Sequence, residues 1–199
     1  MPILNIIRPE IPAGSQDQFL AAWPTLFAEL KSQPGVTHAS GGQVVAEDGQ
    51  KVEGFKFIQY LAFNTVEDEE TFIKSAWVQE HKARLETRGT AEPTFGRFEF
   101  SEISANPSPK PYLQLTSITL PSEGQVEEAR KAWTDLNSIL GKESRGGKLL
   151  RDDAFTGIAF VGWDSLEEVE GAYKDPKASN ALAVYKSLGQ VKSLLVKLL

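Results

Sequence analysis

The chain has 199 residues, 21 Lys and Arg against 27 Asp and Glu, a net charge of −6 and no cysteine. The missing cysteine excludes disulfide scaffolds, thiolate nucleophiles, iron–sulfur clusters and zinc–thiolate centres, and the acidic balance argues against a nucleic-acid partner, which would require clustered Lys and Arg to neutralise phosphates. Hydrophobic residues make up 41% of the chain, enough for a real core, yet no apolar run approaches the roughly 18 residues of a membrane span.

The first predicted element is a strand over residues 3–7, a β-branched run that Asn5 interrupts. A helix follows. Ser15 and Gln18 form a capping-box pattern ahead of Phe19, Leu20, Trp23, Leu26, Phe27 and Leu30, which recur at helical spacing. Residues 36–46 and 54–64 read as two strands joined through Glu47-Asp48-Gly49, with Gly41-Gly42 as hairpin glycines. Thr65 with Asp68 caps a second helix, whose stripe of Phe72, Ala76 and Val78 runs to Leu85. Residues 95–103 alternate as a closing strand. The order β-α-β-β-α-β is that of a ferredoxin-like unit, an antiparallel sheet with its helices on one face.

The stretch SANPSPKP at residues 104–111 carries three prolines and reads as a linker. Beyond it the order repeats: a strand over 112–120, a helix over 125–140, two strands ending near Trp163, a Ser165–Glu168 cap, a helix that Pro176 breaks or restarts, and a last strand over 191–199. Local recurrences tie the halves together. GGQVVAED at 41–48 returns as GGKLLRDD at 146–153, FNTVEDEE from Phe63 returns as WDSLEEVE from Trp163, and Gly14 and Trp23 match Gly124 and Trp133. The offset falls in steps where loops lie, as in diverged duplicated domains. The expected fold is therefore α+β, two tandem ferredoxin-like repeats at 1–103 and 112–199. Their sheets would pack face to face as an intramolecular barrel around a mostly apolar pocket, in a monomer with a pseudo-dimeric barrel or in a homodimer.

The candidate site residues follow from chemistry. His38 and His81 are the two histidines, the side chains suited to moving protons near neutral pH. His81 follows Trp77 by one helical turn, so both look the same way, although Glu80 and Lys82 beside it also fit an ordinary surface histidine. His38 alternates with Val36 and Ser40 along its strand. The amide of Asn5 needs a hydrogen-bonding partner, which a ligand or a neighbour supplies. Gln59 shares a strand face with Phe57, Leu61 and Phe63, one polar tip in an apolar wall. Arg97 and Glu99 alternate on the closing strand, either as an anchor for an anionic or phenolic substrate or as a cross-strand ion pair. Trp23, Trp77, Trp133 and Phe72 read first as packing residues, and the acidic run at 67–70 as a helix N-terminal cap. The patterns HExxH, GxSxG and GxxxxGK[ST] are absent, so no metal or phosphate-loop chemistry is expected.

Some of these residues carry a family likeness. The PGV at 34–36 leading into a GG strand, and the stretches YLAFNTVEDEETFIKSAWVQEHKARL (60–85) and AFVGWDSLEEVEGAYKDPKASNALAVY (159–185), resemble the antibiotic-biosynthesis-monooxygenase-like branch of the dimeric α/β-barrel superfamily. The likeness covers nearly the whole chain at the level of architecture. It implies a Trp at the end of the third strand, which Trp163 keeps in the second half and Phe63 replaces in the first. Haem-degrading members are similar in carrying an Asn on the first strand, a Trp after the third and a His on the second helix. Asn5 and His81 sit near the first and third of these positions and Phe63 breaks the second, so neither half holds the set.

What the resemblance implies is a small secondary-metabolism enzyme for an aromatic or polyketide-like ligand, a monooxygenase that works without a cofactor. His81 would remove a phenolic or C–H proton, while Asn5, Gln59, Tyr60, Phe63 and Trp163 position the ring. A polyketide cyclase or decarboxylase that does not use oxygen, and a non-catalytic binding or stress-response protein, are the alternatives. The N-terminal MPILNIIRPEIP lacks a basic start followed by a long apolar stretch, so the expected location is the cytoplasm, with neither membrane nor nucleic acid as partner.

Overall fold

In a computed structural model of the chain, which describes residues 1–87, 93–100, 110–150 and 155–199, the opening apolar run forms strand β1 (Ile3–Arg8). Residues 101–103 of the predicted closing strand, 104–109 of the proposed linker and 151–153 of the recurring motif lie outside the described residues. The described elements are mixed α+β and divide into two compact units, Met1–Val44 with Val52–Ala105 and Leu199, and Val45–Lys51 with Asn106–Leu198.

After β1 come α1 (Gln16–Ser32), β2 (Val36–Glu47), β3 (Gln50–Lys51), β4 (Phe57–Phe63), α2 (Val66–Ile73), α3 (Ala76–Thr87) and β5 (Thr94–Phe100). The sheet of the first unit runs β2-β4-β1-β5, antiparallel throughout. Its register decides which residues share a face. Ile3 stands opposite Phe63 and Glu99, Asn5 opposite Leu61 and Arg97, and Ile7 opposite Gln59. Side chains alternate along a strand, so Asn5, Gln59, Leu61, Phe63 and Arg97 share one face, and Leu4, Ile6, Tyr60, Ala62 and Phe98 the other. The helices cover the first of these. The Trp23 ring on α1 meets Phe57 at 4.7 Å between centroids, and Phe72 on α2 lies 5.4 Å from Phe63.

Several local expectations change. Ser15 is the N-cap of α1 but makes no capping bond, because its φ of −95° and ψ of 4° depart from the extended conformation a capping side chain uses. The single helix expected over 65–85 is two. Thr65 Oγ1 accepts from the Asp68 N–H at 3.1 Å as predicted, and Ser75 Oγ then accepts from the Val78 N–H at 3.3 Å, restarting the chain as α3. The turn after β2 is the two-residue Asp48-Gly49, with φ of 49° and 80°, the left-handed pair a tight hairpin requires. Gly41 and Gly42, the expected hairpin glycines, lie inside β2. Gly41 is needed because the Trp23 ring crosses it: a Cβ there would sit 2.6 Å from Trp23 Cζ2. Gly41→Ala is expected to destabilise the protein by about 1 to 3 kcal/mol through overpacking, read from a urea melt.

The second unit follows with β6 (Tyr112–Leu120), a 3-10 turn (Glu123–Gln125), α4 (Val126–Leu140), β7 (Ser144–Leu149), β8 (Phe155–Trp163), α5 (Leu166–Lys174), α6 (Pro176–Ser187) and β9 (Gln190–Leu198). Its sheet runs β7-β8-β6-β9, again antiparallel. Ser165 Oγ accepts from the Glu168 N–H at 3.1 Å and starts α5. Asp175 Oδ1 accepts from the Lys177 N–H at 2.7 Å ahead of α6, with Pro176 in the first turn, where its missing N–H costs nothing. Ile118, Leu120, Trp133, Leu136, Val161 and Trp163 build the core of this unit. No helix among the described residues is long and apolar enough to cross a membrane.

Candidate functional site

The helix-covered face of the first unit holds a buried amide, that of Asn5. Asn5 is 2% exposed, and its Oδ1 is buried without a hydrogen-bond partner among the described residues. A buried acceptor left unmade costs about 1 to 3 kcal/mol, and among the described residues Asn5 Oδ1 shares this state with Asn137 Oδ1, on α4 of the second unit. Arg97, the cross-strand neighbour of Asn5, does not supply a donor to it. Arg97 Nε instead donates to both carboxylate oxygens of Glu69 on α2, at 3.0 and 2.7 Å. Glu69 is 1% exposed, and a buried carboxylate demands its counter-charge. That demand directs Arg97 across to the helix and away from a pairing along the strand with Glu99.

An aromatic series leads from this face into the helical layer. Phe63 lies 5.4 Å from Phe72, Phe72 lies 6.1 Å from Trp77, and the Trp77 and His81 rings stack 5.1 Å apart at 8° from parallel. The four-residue spacing that puts Trp77 and His81 on one side of α3 is the one the sequence predicts. Trp77 Nε1 donates to Glu29 Oε2 at 3.1 Å, which fixes the indole between α3 and α1. The structure thus brings Asn5, Gln59, Phe63 and Arg97 onto one sheet face, and places Trp77 and His81 on α3, which meets α1 through Glu29 and α2 through Phe72.

His38 and Tyr60 lie on the opposite face of that sheet. A register shift between Val36 and His38 puts Val36 opposite Phe63 but His38 opposite Ala62, so the expected alternation of His38 with Val36 is broken. Ser40 keeps the face of His38. The His38 and Tyr60 rings stack at 6.2 Å. Burial pushes the Tyr60 phenol up to about 12, against a hydrogen bond with Ser40 that lowers it. Burial, helped by the charge of Lys31, holds His38 below the ordinary histidine value of 6.5. The folded state therefore prefers the neutral imidazole and the unfolded chain binds the proton more readily. This stability is complete above pH 6.5 and is lost as pH falls below it. His38→Gln is expected to flatten that part of the stability–pH curve, measured by denaturant melts from pH 5 to 8.

Trp163 belongs to the core of the second unit, with 0% exposure. Its Nε1 donates to Gln114 Oε1 at 3.0 Å, and the Tyr173 hydroxyl donates to the same oxygen at 3.1 Å. Gln114 Nε2 donates to Ser193 Oγ at 3.2 Å and approaches Thr116 Oγ1 at 3.4 Å. Lys142 Nζ stands 4.6 Å from the centre of the Trp163 ring and pairs with Glu168. Sequence reasoning missed Glu69, Gln114 and Tyr173. The signal for Glu69 was its place three residues before Phe72, on the buried side of α2. Among the described residues no group of three His, Asp or Glu is placed to hold a metal ion.

No family model matches the chain, and no curated protein matches it. Solved structures do. A protein of Fusobacterium nucleatum subsp. nucleatum named as a candidate monooxygenase is 12% identical, with 100% of this chain and 92% of that chain covered at a TM-score of 0.68. An anthrone oxidase-like protein is 16% identical, with 100% and 90% covered at a TM-score of 0.67. A chlorite dismutase from Candidatus Nitrospira defluvii is 10% identical, with 100% and 90% covered at a TM-score of 0.56. At these identities the likeness is one of fold: the mixed α+β chain shares the fold of these proteins.

Proposed function

We propose that the chain is an oxygenase-type enzyme that takes a small aromatic, polyketide-like ligand on the helix-covered face of its first unit. The observation that carries this reading is the buried carbonyl oxygen of Asn5, without a partner among the described residues, on the sheet face of Phe63 and opposite Arg97 of the Arg97–Glu69 pair. The shared fold with proteins named as a candidate monooxygenase and an anthrone oxidase-like protein supports it.

In this reading Asn5 Oδ1 accepts a hydrogen bond from a ligand hydroxyl, Phe63 and Phe72 hold the ring, and the Arg97–Glu69 pair keeps β5 and α2 fixed around it. His81, stacked on Trp77, takes a proton from the activated carbon of the ligand. The electron pair left on that carbon reduces O2, a C–O bond forms, and the hydroperoxide takes up the proton. Loss of water then leaves a ketone, so a CH2 group and O2 become a C=O group and H2O. The reaction balances on ligand and oxygen alone. Tyr60 and His38, on the other sheet face, and Trp163, in the second unit, take no step in it.

The test is oxygen uptake with anthrone and hydroxyanthrones as substrates. The wild type is expected to consume oxygen, and His81→Ala to lose the reaction. Asn5→Leu is expected to lose it too, while gaining about 1 kcal/mol of stability through removal of the unsatisfied acceptor. That combination separates a functional role from a structural one, since a structural asparagine would lose stability on replacement. Substrate consumed without oxygen would replace the oxygenase with a cyclase or decarboxylase, and no turnover in the wild type would contradict the enzyme reading.

A further inference from the structure

The two units place an amide at the same register position and treat it in opposite ways. In the second unit Trp163 ends β8 opposite Tyr112, two residues before Gln114. In the first unit Phe63 ends β4 opposite Ile3, two residues before Asn5. Both strands lead into a helix through a hydroxyl cap, Ser165 in one and Thr65 in the other.

A carbonyl oxygen of an amide accepts two hydrogen bonds. At Gln114 both are made, by the indole of Trp163 and the hydroxyl of Tyr173, and the NH2 end is taken up by Ser193 and Thr116. This amide has no capacity left for a ligand. At Asn5 the corresponding donors are missing. Phe63 has no N–H, and the residue 100 positions before Tyr173 is Ile73, which has no hydroxyl and is 38% exposed. The guanidinium opposite Asn5 in register bonds Glu69.

We propose that Phe63 determines the ligand class: by withholding the N–H that Trp163 supplies in the second unit, it leaves the Asn5 carbonyl to a hydroxyl of the ligand. The chain accordingly takes one ligand at this register position, in its first unit, because the Gln114 position of the second unit is closed by its own side chains. This inference rests on the ligand site proposed above and names the group it selects. A phenolic or enolic O–H fits, because it donates and carries no charge. A carboxylate does not fit, since it only accepts, would leave Asn5 unpaired, and would find Arg97 already neutralised by Glu69.

The experiment is a calorimetric titration of the full chain with 2-hydroxyanthraquinone and with its methyl ether, which differ in the single donor. The wild type is expected to bind one equivalent of the hydroxyl compound, at least about tenfold more tightly than the ether. Phe63→Trp, which offers Asn5 an indole N–H, is expected to lose that preference and to melt at a higher temperature. Should the larger ring fail to fit beside Phe72, Asn5→Leu carries the same readout, with hydroxyl compound and ether bound alike. Two equivalents per chain, equal affinity for the two compounds in the wild type, or no binding of either overturns the inference. Where oxygen uptake on hydroxyanthrones persists in the wild type, the oxygenase reading survives that failure; where uptake is also missing, both fall.

Discussion

Arg97→Met is expected to cost about 3 to 5 kcal/mol of stability, read from urea unfolding. The reason lies in the asymmetry of the pair: the Glu69 side chain is 1% exposed and that of Arg97 33%. Removing the arginine strands a carboxylate inside the helix-covered core, where no water solvates it, whereas a surface pair broken in the same way costs about 0 to 1 kcal/mol. The double variant Glu69→Leu with Arg97→Met removes both charges and is expected to recover most of the loss, because apolar groups of similar volume replace a buried pair at little cost. A single-variant loss below 1 kcal/mol would show that Glu69 reaches solvent in solution, and the Arg97–Glu69 pair would then not hold α2 against β5.

Trp163→Ala is expected to cost about 3 to 5 kcal/mol, by emptying the largest fully buried position among the described residues. Two further losses add to the cavity. Gln114 Oε1 keeps only the Tyr173 hydroxyl, and Lys142 loses the ring face beneath its ammonium group. Trp163→Phe separates these contributions, since it keeps most of the volume and deletes the N–H. Its expected cost is about 1 to 2 kcal/mol, the scale of one buried hydrogen bond with some packing. Equal costs for the two variants would mean that the hydrogen bond, and not the ring, dominates at this position.

The element order was legible because each signal is local. Thr65, Ser165 and Pro176 mark helix starts by their own side chains, and the apolar runs of β1 and β6 need no distant partner to be read as strands. Parity along a strand also put Gln59, Leu61 and Phe63 on one face, and helical spacing put His81 over Trp77. What escaped the sequence depends on contacts made across the fold. The register shift before His38 moves that side chain to the face opposite Val36, and no local pattern announces it. Gly41 was read as one of two hairpin glycines, and the reason for it, the Trp23 ring lying against the strand, appears only on packing. Glu69 was taken with its acidic neighbours as a helix cap, because nothing in EDEE singles out the one carboxylate that turns inward to Arg97.

In the proposed site the Asn5 carbonyl is the place where a ligand hydroxyl sits. The most direct measurement is a crystal structure of the chain with 2-hydroxyanthraquinone bound. The predicted result is the ligand oxygen about 2.5 to 3.0 Å from Asn5 Oδ1, with the ring beside Phe63 and Phe72. A ligand found instead against His38 and Tyr60, or bound in the second unit at Gln114, would contradict it.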